Sequence, residues 1–191
     1  MKKTYLLVFN GLSDWEPGLA VAEINKSDKY VVQTVGFNKE TIKTMGGISI
    51  VPDYSIQEID YEAAAILILP GGKMWEMDPV DELVPVVKKF IDLKIPVAAI
   101  CGPTVFLTRH GLVENIKHTS NGRAYLKNII GEYKGSDLYI NKPSVSDKGI
   151  ITANGIAFLE FAREVLGELG VYDDGTLEAW YEFFSTPQLE D

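Results

Sequence analysis

Two hydrophobic patterns alternate along the chain: short β-branched runs bounded by turn residues, and longer stretches whose apolar positions recur at helical spacing. The first pattern predicts strands over residues 5–9, 30–36, 65–69, 95–100 and 150–152, several of them apolar on both faces as buried parallel strands are. Residues 48–51 and 138–140 read as minor strands. The second pattern predicts helices over 17–25, 83–93, 103–110 and 176–184, the last with Leu177, Trp180, Tyr181 and Phe184 aligned. The clearest helix lies between Asn154 and Gly170, where Ile156, Leu159, Ala162, Val165, Leu166 and Leu169 make one face. Asn154 is placed to cap it and Gly170 to end it.

Alternating strands and helices specify an α/β sheet covered on both faces, a three-layer α/β/α sandwich with mostly parallel strands. No internal repeat, low-complexity tract or linker rich in proline, glycine or serine divides the sequence, so residues 1–191 are read as one domain. With 46% hydrophobic and 24% charged residues the chain can bury a sizeable core without staples.

Charge then narrows the partners. Acidic side chains number 27 against 18 basic, a net charge of −9, and no lysine or arginine cluster supplies a footprint for nucleic acid or an anionic membrane. No apolar run approaches the roughly 18 to 20 residues of a membrane helix. The first run ends at Asn10-Gly11, short of a secretory core, so a cytoplasmic location is expected. The single cysteine, Cys101, and two histidines, His110 and His118, exclude an internal disulfide and a cysteine/histidine zinc site. Neither metal nor cofactor is expected, and the fitting partner is a small carbonyl substrate.

Cys101 follows the apolar run 95–100 and precedes Gly102-Pro103-Thr104, a strand-to-helix turn at the carboxyl edge of the sheet, where open α/β sheets bind ligands. Unpaired N–H groups at a helix start would favour a thiolate and depress its pKa. Pro103 suits the first helical turn, and Gly102 gives the backbone room while offering its N–H to an oxyanion. The alternative is a small buried cysteine without chemistry. Leu69-Pro70-Gly71-Gly72 closes the preceding strand, so Gly72 is a second candidate oxyanion donor, against a plain turn. Glu16 sits where the first strand gives way to a helix. Ser13 and Glu16 have the spacing of a capping box, but Pro17 argues for a helix that starts at Pro17 and leaves Glu16 free to reach Cys101.

A catalytic cysteine usually has a histidine base. His110 falls at the far end of the helix after Cys101, roughly 13 Å along at about 1.5 Å per residue. His118 follows a turn and is the candidate base, against a structural histidine. Trp75, Glu76 and Met77 follow the paired glycines and are candidates for core packing, a subunit contact or a pocket mouth.

Together, residues 11–16, 69–72, 98–104 and 152–162 resemble the ThiJ/PfpI family, over nearly the whole chain. The resemblance implies a flavodoxin-like sandwich of the class I glutamine amidotransferase-like superfamily, with the nucleophile matched by Cys101 on a strained elbow. It further implies Glu16 as the buried acid beside it and the amides of Gly72 and Gly102 as the oxyanion hole. Homodimers are common among relatives. Three departures matter. Cys101-Gly102-Pro103 is a shorter elbow than that of the deglycase branch; residues 154–160 lack the late histidine of true glutamine amidotransferases; and the histidine of the deglycase branch aligns near Asn121 rather than His118. The leading expectation is thus a cysteine-dependent hydrolase or aldehyde-adding enzyme using Cys101, Glu16 and His118. The alternatives are a redox sensor through Cys101 oxidation and a chaperone-like binding protein.

Overall fold

The computed structural model describes residues 1–186. In chain order the first half forms β1 (Lys2–Leu7), α1 (Trp15–Ile24), β2 (Tyr30–Gly36), β3 (Ile42–Lys43), β4 (Ser49–Ile50), β5 (Tyr54–Ser55), β6 (Ala64–Leu69) and α2 (Met74–Met77). The second half forms α3 (Val84–Asp92), β7 (Val97–Ile100), α4 (Pro103–Arg109), α5 (Arg123–Ile130), β8 (Ser144–Asp147), β9 (Ile150–Ala153), α6 (Phe158–Leu169) and α7 (Asp174–Ser185).

A seven-stranded sheet in the order β5-β2-β1-β6-β7-β9-β8 is parallel except for the edge strand β8, which runs antiparallel to β9. The central strands are the apolar ones: Ile66 to Leu69 and Val97 to Ile100 are fully buried, so each must be covered on both faces. The crossover from β1 through α1 to β2 moves one way along the sheet and that from β6 through α3 to β7 moves the other. Right-handed connections therefore place α1 and α3 on opposite faces. Helices α6 and α7 join α1 on its face. The α/β sandwich is as its sequence pattern requires.

Departures from the local reading have local causes. Residues 48–51 contribute only β4, which pairs with β3 in a separate two-stranded sheet. Residues 138–140 are not a strand: a 3₁₀ turn spans Ser136–Leu138, and Tyr139 makes a single bridge to His118. Helix α1 starts at Trp15 rather than Pro17, which sits in the first turn where its missing N–H is not needed. Asn154 does not cap α6. Its side-chain oxygen accepts the Ile156 N–H at 3.0 Å in a tight turn, and the helix begins four residues later at Phe158. Gly170 ends α6 in the left-handed conformation, φ 58°.

Candidate active site

The strand β7 delivers Cys101 to the carboxyl edge of the sheet and the chain then reverses into α4 within two residues. Cys101 sits at φ 68°, a left-handed conformation uncommon for a residue with a Cβ. Both of its backbone groups are held. Its N–H donates to Ala153 O at 2.9 Å, extending the β7–β9 pairing one residue beyond the strand. Its carbonyl accepts from Thr104 N–H at 3.2 Å and from Thr104 Oγ1 at 2.5 Å. These bonds over-determine the elbow and present the sulfur to the groove between β6, β7 and β9.

Glycines from three strand ends close around the side chain. A Cβ at Gly155 would lie 2.7 Å from Cys101 Sγ, and one at Gly71 would lie 2.4 Å from Glu16 Oε2 and 2.9 Å from Cys101 Cβ. A Cβ at Gly102 would meet Trp75 at 2.7 Å and Gly72 O at 3.0 Å. Gly72 and Gly102 are thereby neighbours across the elbow, and the Gly102 N–H lies next to the sulfur it follows in the chain.

Glu16 reaches this point because no capping box forms. Ser13 N–H donates to Gly71 O at 3.0 Å, while Asp14, the residue before α1, takes the Gly46 N–H at 2.6 Å. Glu16 is only 1% exposed, and its carboxyl accepts the Gly71 N–H at 2.5 Å beside Cys101 and Ser13. Burial pushes it up to about 7 although these polar neighbours pull the other way. The thiol is pushed up to about 11, first by burial and then by the Glu16 charge; the Asn121 amide and the Gly102 N–H oppose the shift. The depressed thiol expected from a helix start is therefore not what the site contains. Glu16 and Cys101 form a pair that gives up its first proton near neutrality and holds the second tightly.

His118 is not brought to Cys101. It is buried, its Nδ1 lies 2.8 Å from Ile116 O, and its Nε2 is bonded to the Tyr133 hydroxyl. Both ring nitrogens are occupied away from the sulfur, and burial holds the imidazole below its ordinary pKa. His110 lies at the end of α4, where its Nε2 is 2.8 Å from Pro79 O. The side chain that does reach the sulfur is Asn121: its Nδ2 donates to Cys101 Sγ at 3.3 Å and its Oδ1 accepts Gly155 N–H at 2.9 Å. The one sequence signal for this residue was its alignment with the histidine of the deglycase branch.

Trp75 is fully buried between Phe9 and Phe106, and its indole N–H donates to Pro70 O at 2.9 Å, which anchors α2 beside the elbow. Beyond Asn121 opens a cavity of about 370 Å³ lined by Asn121, Tyr139, Lys142, Asn154, Ile156 and Glu160 among others. Among the described residues no cluster of three or more histidine, cysteine or acidic side chains is placed to hold a metal, and no helix is long and apolar enough to cross a membrane.

A family model described as DJ-1/PfpI family matches residues 2–168. A Bacillus subtilis protein named as an uncharacterized protease, YoaZ, is 42% identical over 197 aligned residues that cover 99% of this chain and 93% of that protein. A deglycase of Thermococcus kodakarensis is 27% identical, covering 76% of this chain and 89% of its own. The crystal structure of a thiJ/pfpI family protein from Bacillus anthracis superposes with a TM-score of 0.87 at 43% identity, covering 98% of this chain and 92% of that one.

Proposed function

The chain belongs to the DJ-1/PfpI family, and from that premise we propose that it is a cysteine-dependent enzyme in which Cys101 attacks the carbonyl carbon of a small substrate, either an amide that is hydrolysed or a reactive aldehyde. The observation that carries this reading is the buried Glu16 carboxyl set beside a cysteine held at φ 68° on a strand-to-helix elbow. The two meet across Gly71, where a Cβ would lie 2.4 Å from Glu16 Oε2 and 2.9 Å from Cys101 Cβ. A carboxyl poised at about 7 is matched to proton transfer at neutral pH, where a general acid or base works best. The relatives' names, a protease and a deglycase, both describe attack at carbonyl-derived centres and fit a shared first step.

In that step the Cys101 proton passes to the Glu16 carboxylate as the sulfur electron pair forms the S–C bond and the carbonyl π pair moves onto oxygen. The Gly72 and Gly102 amides flank the elbow and would hold the oxyanion, at about 3 kcal/mol per donor. Glu16 then returns its proton to the leaving amine of an amide, which leaves the acyl group on Cys101 as a thioester. Water attacks that thioester while giving a proton to the Glu16 carboxylate, the acid departs, and the proton returns to the sulfur. In an aldehyde adduct the Glu16 proton goes instead to the oxygen. His118 has no part in this scheme; Asn121 steadies the sulfur in its place.

The test is turnover of a panel of small primary amides and 2-oxoaldehydes by wild type, Cys101→Ala and Glu16→Gln. Loss of turnover in both variants with the fold retained is expected. Turnover unchanged in Cys101→Ala would overturn the reading.

A further inference from the structure

The mouth of the site carries an arrangement that the chemistry above does not use. Tyr125 on α5 and Glu76 on α2 are 49 residues apart in sequence, and the Tyr125 hydroxyl donates to Glu76 Oε1 at 2.7 Å. Glu76 stands on the Gly72 side of the elbow, because α2 follows Gly71-Gly72 and its buried Trp75 packs against Gly102. Tyr125 stands on the opposite side, in the first turn of α5 and four residues after Asn121. It lies near the Asn121 side chain and close enough to Cys101 to feel its charge. The bond therefore joins the two walls of the groove across the approach to the sulfur.

We propose that the Tyr125–Glu76 bond is a bar over the entrance to Cys101 that selects substrates by charge, admitting neutral and cationic carbonyl compounds and disfavouring those that carry a carboxylate. This rests on the preceding reading of Cys101 and adds a substrate class to it. An anionic substrate would meet the Glu76 carboxylate at the entrance and the Glu16 carboxyl at the floor, while the cavity beyond Asn121 carries one charge of each sign, Lys142 and Glu160. The two arginines of the neighbouring helices are engaged elsewhere. Arg109 Nη1 donates to Trp75 O at 3.3 Å and Asp78 O at 3.2 Å. Arg123 Nη2 donates to Tyr139 O at 3.2 Å, with its guanidinium 5.4 Å over the Tyr139 ring. Burial and the Glu76 carboxylate hold the Tyr125 phenol well above its ordinary pKa, so it stays neutral and offers a hydrogen bond rather than a proton. Glu76 is exposed and Tyr125 only partly buried, so their bond can exchange with a substrate oxygen at small cost.

The test uses two thiol reagents of matched size, the trimethylammonium-ethyl and sulfonato-ethyl methanethiosulfonates, on wild type, Glu76→Gln and Tyr125→Phe, with the modification of Cys101 followed by mass. Wild type is expected to favour the cationic reagent, and Glu76→Gln to lower the cation-to-anion rate ratio about tenfold while keeping a hydrogen-bond partner for Tyr125. Tyr125→Phe is expected to raise both rates about threefold by opening the bar. A ratio in Glu76→Gln equal to that of wild type, or rates in Tyr125→Phe equal to those of wild type, would overturn the bar and leave the reactive cysteine standing. If neither reagent modifies Cys101 in any of the three proteins, the reading of Cys101 as a nucleophile falls, and the bar with it.

Discussion

Asn121 donates its side-chain amide to the sulfur of Cys101 at 3.3 Å, and its orientation is fixed by a second bond in which its oxygen accepts Gly155 N–H at 2.9 Å. A backbone N–H can only donate, so the oxygen must face Gly155 and the NH₂ must face the sulfur. Asn121 therefore stabilises the thiolate and cannot take its proton. In Asn121→Ala the thiol is expected to move further up, and alkylation by iodoacetamide near pH 8 to slow about tenfold, as loss of a hydrogen bond to a charged group implies. A rate equal to wild type would show that the bond does not act on the sulfur.

The Glu16–Cys101 pair has its own signature. Loss of the first proton near pH 7 gives a monoanion that holds either a carboxylate with a thiol or a carboxylic acid with a thiolate, and only the second form reacts. The alkylation rate of wild type is expected to rise through about pH 7 to a plateau, then climb again toward about pH 11. Glu16→Gln removes the carboxylate charge that contributes to the thiol shift, so it should abolish the lower step and leave one rise whose midpoint falls below about 11. Matching profiles for the two proteins would show that Glu16 and Cys101 do not share a proton.

The frame of this site was legible in sequence because it rests on strong local patterns. The apolar run of β7 followed by Gly102-Pro103 locates the elbow, the β-branched run 30–36 coincides with β2, and Gly170 marks the end of α6. The missed elements carry weak local signals. In α5 Leu126 is the one fully buried residue and the preceding residue is a glycine at φ 147°, while β8 is a polar edge strand with only Val145 buried. Asn154 shows how a local rule loses to a tertiary one. Its capping chemistry is spent on a turn that brings Gly155 past the sulfur, where a Cβ would lie 2.7 Å from it. The same limit explains His118 and Asn121: which of two side chains three residues apart faces Cys101 is decided largely by partners distant in sequence, Tyr133 for His118 and Cys101 and Gly155 for Asn121.

His118 is expected to matter for stability alone. Ile116 O must accept, so Nδ1 carries the proton and Nε2 accepts from the Tyr133 hydroxyl, an assignment that keeps the ring neutral. Replacing it by phenylalanine leaves a buried carbonyl and hydroxyl without partners, at about 2 to 3 kcal/mol. His118→Phe should lower the denaturation midpoint while the pH profile of Cys101 alkylation stays that of wild type. A displaced profile would return the histidine to the chemistry.

Burial of Glu16 also sets a pH dependence of folding. Its carboxyl titrates at about 7 when folded against 4.5 when exposed, so between those values the folded state binds more protons than the unfolded one. Stability from this group is fully present below about 4.5 and is lost as pH rises through about 7, by about 3 kcal/mol at most. Asp14, Glu23, Glu58 and Asp173 are shifted down and act in the opposite sense at lower pH, but they are common to wild type and Glu16→Gln and cancel in the difference. The excess stability of Glu16→Gln over wild type, measured by urea denaturation, should thus grow between pH 4.5 and pH 8 and level off above it. A difference that is constant with pH would mean that the folded protein does not hold Glu16 protonated near neutrality, and the proton shared with Cys101 would have to come from elsewhere.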